Sequence, residues 1–433
     1  MRRLIVTICL VFVYSATSFA SGFSIYEASA RANAMLGAFS AYAEHVSTIY
    51  YNPAGMAGLH GIQISGGATI IAPRSTFRGP FPSSTPFPGS QQTYRMKKDN
   101  FFVPNFYASY EIKDGLAAGV GVYAPYGLGT EWDRNWVGRT EAIKTSVQTV
   151  FVQPTVAYTL PNFGIGKVKV GAGLMIAAYG SVELSRAVEN FAVQNDVFDL
   201  QGDLKKPGFG YNLGLLVQPN DMISLGFTYR SKVNVTFNGD ANFGDLPTSQ
   251  FPTGTTGETT LELPANWVAA LNVKPAKNLS FEFDYVWWGW SSYDKLKINF
   301  DQTVPAFNSA GFACDADMQG KQICSERGYK NSYQLRLGGE YKNIGVQGLD
   351  IRAGIAYDKT PLPTKYMDPT LPDSDRWLFS GGFSYDITPN FTVDASYIFI
   401  RAKERVNRES LNGFHGVYNT YANLPSLGLT LKF

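Results

Sequence analysis

Charge, histidine and cysteine are all scarce in this sequence, and beyond its first twenty residues no apolar run is long enough to cross a bilayer as a helix. Each shortage removes a class of function. Charged residues make up 17%, the 37 basic and 35 acidic side chains nearly cancel, and no basic run could follow a phosphate backbone, so nucleic acid is excluded as a partner. The three histidines, His45, His60 and His415, are dispersed, and no Gly-x-Ser-x-Gly elbow occurs. Nothing here assembles a nucleophile with its base, so neither an enzyme nor a catalytic residue is expected. Of three cysteines, Cys9 lies in the first segment, while Cys314 and Cys324 share a polar stretch with no histidine nearby. In an oxidising compartment such a pair reads as a loop disulfide; two thiols are too few for a metal site, and no metal or cofactor is expected.

What is present points to export. Met1-Arg2-Arg3, an apolar run from Leu4 to Tyr14 and Ser18-Phe19-Ala20 form the charged start, apolar middle and small-residue end of a signal peptide over residues 1–20. With no spanning helix, an exported chain this apolar is either soluble beyond the inner membrane or a β-barrel. Aromatic residues reach 14%, with 30 Phe and 25 Tyr, and such rings favour strands and membrane interfaces. From Gly61 onward apolar and polar residues alternate with the period of a strand, while helical periodicity is nearly absent.

Short turns such as Lys113-Asp114-Gly115, Pro219-Asn220-Asp221 and Thr388-Pro389-Asn390 alternate with long polar links, among them 187–206 and 239–257. The count predicts an all-β membrane barrel of about 14 antiparallel strands over 61–433, with the small-residue-rich stretch 21–60 as an N-terminal, partly helical and otherwise irregular hatch inside the lumen. In the last strand Leu427, Leu429, Leu431 and Phe433 face one way and Ser426, Gly428, Thr430 and Lys432 the other.

Taking the ring-rich face as the lipid face assigns the rest. Along 223–239, Leu225, Phe227, Tyr229, Val233 and Val235 point outward, and Thr228, Arg230, Lys232 and Asn234 inward. Trp288, Ile398 and Ile400 also point inward, as do Arg336 and Arg352; the apolar three either accept something greasy in the lumen or pack on the hatch. These inward cations either receive an acidic substrate or belong to an ion-pair lattice with Glu340, Asp350 and Asp284.

Gly22-Phe23, then Asn52-Pro53-Ala54-Gly55-Met56, then the block from Gly119 to Leu128 with Thr130-Glu131-Trp132 and Gln153-Pro154, occur in an order that resembles the long-chain fatty acid transporter family of Gram-negative outer membranes. The resemblance covers the whole mature chain. It implies a multi-pass outer-membrane monomer, amid outer-membrane lipid and lipopolysaccharide, that passes hydrophobic small molecules by diffusion. Long-chain fatty acids lead, and aromatic or aliphatic hydrocarbons are the alternative. A ligand would rest in a loop groove, pass to a lumenal pocket and leave sideways after hatch movement. Candidate groove residues are Phe191, Val193, Val197, Phe198, Leu200, Phe243, Leu246 and Phe251, which either bind ligand or pack the loops together. Candidate gate residues are Gly22, Phe23, Asn52, Pro53, Ala54 and Gly55, and Pro125 is the proline expected to weaken the wall. A surface adhesin or receptor remains a further alternative.

Overall fold

The computed structural model describes residues 22–80, 92–161, 164–188, 193–309 and 311–433, so the expected signal segment 1–20 falls outside them. Fourteen antiparallel spans close into a barrel. The first five are β1 (Ile62–Arg78), β2 (Phe101–Lys113), β3 (Leu116–Tyr123, resuming at Gly127–Glu131), β4 (Lys144–Thr159) and β5 (Lys167–Ala187). β6 (Val197–Lys206 and Gly208–Gln218), β7 (Ile223–Arg230 and Val233–Asn242) and β8 (Thr255–Leu263 and Asn266–Ala276) are each interrupted once. The remainder are β9 (Leu279–Trp288), β10 (Ser332–Tyr341), β11 (Leu349–Asp358), β12 (Arg376–Thr388), β13 (Phe391–Ala402) and β14 (Gly416–Lys432). β14 pairs with β1 from Gln63↔Lys432 to Arg78↔Val417, which closes the ring and leaves no free edge.

The strands alternate as a barrel wall requires. Outward-facing Trp377, Phe379, Phe383, Tyr385 and Ile387 of β12 are exposed, as are Leu427, Leu429 and Leu431 of β14, while Ser426 and Thr430 are buried. Several strands outrun the expected borders. The stretches 197–206 and 233–242, partly assigned to long links, are paired strand. Between β9 and β10 a hairpin of Lys295–Phe300 with Gln322–Glu326 rises above the wall, and the Cys314–Cys324 disulfide staples its loop with a Cα–Cα distance of 5.5 Å.

Two irregularities decide what reaches the lumen. β7 breaks at Ser231-Lys232, so the alternation restarts one residue out of step. A slip of one residue moves every later side chain to the other face. Arg230 is buried, but Lys232 is exposed and Val233, Val235 and Phe237 are buried, the reverse of the sequence assignment for Lys232, Val233 and Val235. β5 carries an extra residue at Ala178, between the pairs Val150↔Tyr179 and Phe151↔Ala177.

Of residues 22–59 only Glu44 is exposed. The segment has two short helices, Ala30–Asn33 and Thr48–Tyr51, and a 3-10 turn over Pro53–Gly58. Asn52 is extended and its side-chain oxygen accepts the Ala54 N–H at 3.2 Å, while Pro53 at the first position of the turn needs no donor of its own.

Candidate functional site

The N-terminal segment is held by inward-facing polar groups of the wall. Arg31 pairs with Asp394 at 3.1 Å, and the Tyr42 hydroxyl donates to Glu340 at 2.6 Å. Glu282 accepts the backbone N–H groups of Ala41 and Tyr42 at 2.8 and 2.5 Å. Close approach comes from glycines in the wall. A Cβ on Gly214 would sit 2.2 Å from Asn52 Oδ1, and one on Gly171 would sit 2.4 Å from the Pro53 carbonyl carbon. Gly55 packs on Ala43 and Thr48 within the segment, while Gly58 meets the Lys169 side chain of the wall. Ala54 is fully buried.

The inward arginines serve this contact. Arg230 donates to the Tyr123 hydroxyl at 3.2 Å and to the Tyr50 carbonyl, with its guanidinium 4.1 Å from the Tyr50 ring centre. Arg336 donates to the Gly37 carbonyl at 3.0 Å and lies 4.2 Å from the Tyr26 ring. Arg352 meets Glu340 at 2.5 Å and Asp350 at 3.4 Å, so it belongs to the ion-pair lattice. Lys232 pairs with Glu262 on the outer surface at 3.3 Å and cannot reach the lumen. Trp288 is buried beside Trp290, while Ile398 and Ile400 lie in the main apolar cluster.

The start of the segment meets the break in β3. Ile25 donates to the Pro125 carbonyl at 2.7 Å and Gly127 donates to the Phe23 carbonyl at 2.9 Å, so residues 124–126 pair with the N-terminal segment where the wall ladder lapses. Gly22, at φ +65°, presses on the Trp290 ring, and the Phe23 ring stands edge-on to Trp290 and Tyr293 at 4.8 and 5.3 Å.

Above Phe23 lies a narrow cavity whose walls are mostly aliphatic and aromatic, including Leu128, Val182, Leu184, Leu261 and Tyr293. Through Leu184, Leu296, Ile298 and Arg327 it adjoins a second, roomier space, and that one shares Phe198 and Arg186 with an outer space open to solvent. Below Phe23, a smaller space touches Arg230, Trp288 and Arg336. Two cations border the upper spaces. Arg327 pairs with Asp368 at 2.9 Å; burial works against its charge, but Asp368 holds its pKa above the ordinary value. Arg186 has no carboxylate at ion-pair distance among the described residues.

Sequence reasoning missed both cations. The Ala178 bulge reverses the faces of β5, so alternation counted from Gly171 and Met175 turns Val182, Leu184 and Arg186 outward. Arg327 lies past the hairpin, where no alternation applies. The proposed groove residues are brought together. Phe198, Leu200, Phe243, Leu246 and Phe251 form one buried cluster with Phe300 and Phe307, and Val193 packs against it. Val197 instead packs with Ile143 and Ala187, and Phe191 lies outside the described residues. Only Phe198, Phe251 and Leu200 of these border the cavities, so much of the set is packing.

Residues 11–433 match the family described as "Outer membrane protein transport protein (OMPP1/FadL/TodX)". The 47 kDa outer membrane protein of Pasteurella multocida is 27% identical over 415 residues, covering 91% of this chain and 90% of that one. A long-chain fatty acid transport protein of Escherichia coli is 26% identical, covering 90% and 89%. Among solved structures, a FadL homologue of Pseudomonas aeruginosa superposes with a TM-score of 0.77 at 21% identity, covering 95% of this chain and all of that one. The toluene transporter TodX of Pseudomonas putida gives 0.66 at 15%, covering 97% and 100%.

Proposed function

Because this chain belongs to that family of outer-membrane channels for hydrophobic substrates, and is not an enzyme, we propose that it takes up long-chain fatty acids by passive diffusion. The observation that carries this reading is the apolar cavity above Phe23 together with the adjoining, more polar space that has the Arg186 guanidinium at its wall. A long acyl chain needs a continuous apolar path, and a carboxylate gains most from a guanidinium that no acid already occupies. In this reading residues 21–60 are a hatch and 61–433 the barrel. Ligand gathers among the loops, descends to the cavity above Phe23, and displaces the Phe23–Trp290–Tyr293 contact. The hatch strand leaving Pro125 opens the gap in β3 toward the bilayer, so the molecule exits sideways.

Hydrocarbon uptake is the second reading, favoured by the same apolar lining and by the likeness of fold to a toluene transporter. Uptake of labelled oleate and labelled toluene by cells lacking their own transporter separates the two. Wild type is expected to carry oleate, and Arg186→Ala to lose on the order of tenfold or more in oleate uptake, as for one charge-assisted contact of about 1.5–3 kcal/mol. Toluene uptake that ignores the variant, with no oleate uptake in wild type, makes the protein a hydrocarbon channel.

A further inference from the structure

On the outer surface, rings of neighbouring strands form a row near the long-loop end. Tyr285 and Tyr333 are 6.1 Å apart, Tyr333 and Tyr357 6.4 Å, and Tyr357 and Trp377 5.2 Å. Such a row marks the level at which hydrocarbon gives way to lipid headgroups. On the next strands the row changes character. Trp377 pairs with Arg401, Arg401 with Tyr421, and Tyr421 with Arg74. Arg401 is exposed, and Arg74 donates to the Asp99 carbonyl and the Asn100 side chain rather than to a carboxylate. One step above, Arg95 pairs with outward-facing Thr76 at the level between Arg74 and Arg78, and exposed Lys403 follows Arg401 on the same face of its strand.

Five cations therefore cluster on one side of the barrel. Among the described residues, no carboxylate lies at ion-pair distance from the side chains of Arg78, Arg95, Arg401 or Lys403. Farther round the same surface, exposed Lys205 and Lys232 are neutralised by Glu258 and Glu262. The sequence between Arg78 and Asp99 contains no acidic residue that could compensate. An unpaired guanidinium set between Trp377 and Tyr421, at headgroup depth, suits a phosphate whose acyl chains lie along the rings below it.

We propose that this face binds a phosphorylated glycolipid of the outer leaflet, with Arg401, Arg74 and Arg95 holding a phosphomonoester and Trp377 and Tyr421 flanking its acyl chains. The contact is independent of the transport path, since these side chains point away from the lumen.

The test uses full-length protein in detergent micelles, titrated with bis-phosphorylated lipid A and with the same lipid stripped of phosphate, and read by native mass spectrometry. Wild type is expected to prefer the phosphorylated lipid. Each such cation near an anionic surface contributes about fivefold, so Arg74→Ala/Arg95→Ala/Arg401→Ala loses on the order of 100-fold. A triple variant at the opposite mouth, Lys113→Ala/Lys167→Ala/Lys277→Ala, removes the same charge and is expected to bind as wild type. Heat-modifiable migration on a gel confirms that both variants fold. Equal affinity for the two lipids, or equal losses in the two triple variants, overturns the proposal.

Discussion

A single inward side chain in this barrel is either tied to a partner or available to a ligand, and the two kinds respond differently to removal. Arg352 and Glu340 are almost fully buried against one another, so Arg352→Ala leaves that carboxylate only the Tyr42 hydroxyl and Lys342 at 3.6 Å, and is expected to destabilise the barrel by about 1.5–3 kcal/mol in urea unfolding. Lys232→Ala, on the outer surface, should stay within about 0.5 kcal/mol of wild type in the same measurement. Gly214→Ala inserts a methyl where Asn52 Oδ1 now lies, and should cost about 1–3 kcal/mol and make residues 22–60 more sensitive to protease. Glu44 adds a pH dependence. The protein crowded around this partly exposed carboxyl opposes its charge, but Lys342 and Lys274, at 2.8 Å and closer, hold it at about 2 against the ordinary 4.5. A depressed carboxyl stabilises fully above the ordinary value and loses that contribution as pH falls toward the folded one. The N-terminal segment should therefore loosen between about pH 4.5 and 2, and Glu44→Gln at neutral pH should give the conductance that wild type shows in acid.

At the scale of elements, period-two alternation made the barrel legible and also set the limit of what could be read. β9 and β14 alternate without interruption, and the faces assigned to Asp284, Trp288 and the leucines of β14 stand as expected. β7 carries no signal at Ser231-Lys232 that distinguishes a bulge from an ordinary strand residue, so plain alternation puts Lys232 in the lumen and Val233 and Val235 in lipid. The same blindness at Ala178 hid Arg186. Proline was a partial guide, since the breaks in β3, β6 and β8 fall at or beside Pro125, Pro207 and Pro264, where a ladder donor is missing, whereas Pro104 and Pro154 lie inside unbroken strands. Deleting Ser231 removes the extra residue, so unbroken alternation from Arg230 keeps Lys232 outward and Val233, Val235 and Phe237 in the core. The expected outcome is a barrel that still shows the heat-modifiable gel shift, whereas loss of the shift would mean that the break itself is needed to form the wall.

For the whole molecule, closure of β1 on β14 fixes a wall, and its interior is filled by a segment with only short helices that the wall's own charges and glycines grip. The sequence order of Gly22-Phe23 and Asn52-Pro53-Ala54-Gly55 pointed to that segment, but its three-dimensional attachment to Trp290, Pro125 and Glu282 needed side chains brought together from strands hundreds of residues apart. The central claim is that movement of this segment at the β3 break admits a hydrophobic molecule. Ser24 and Tyr126 face one another across the antiparallel bridge there, so the pair Ser24→Cys/Tyr126→Cys can be locked by oxidation. The most direct measurement is uptake of labelled oleate by cells carrying this variant, oxidised and then reduced, with wild type treated alike. The account predicts uptake that is lost on oxidation and restored on reduction, and undiminished uptake through the fully cross-linked protein would contradict it.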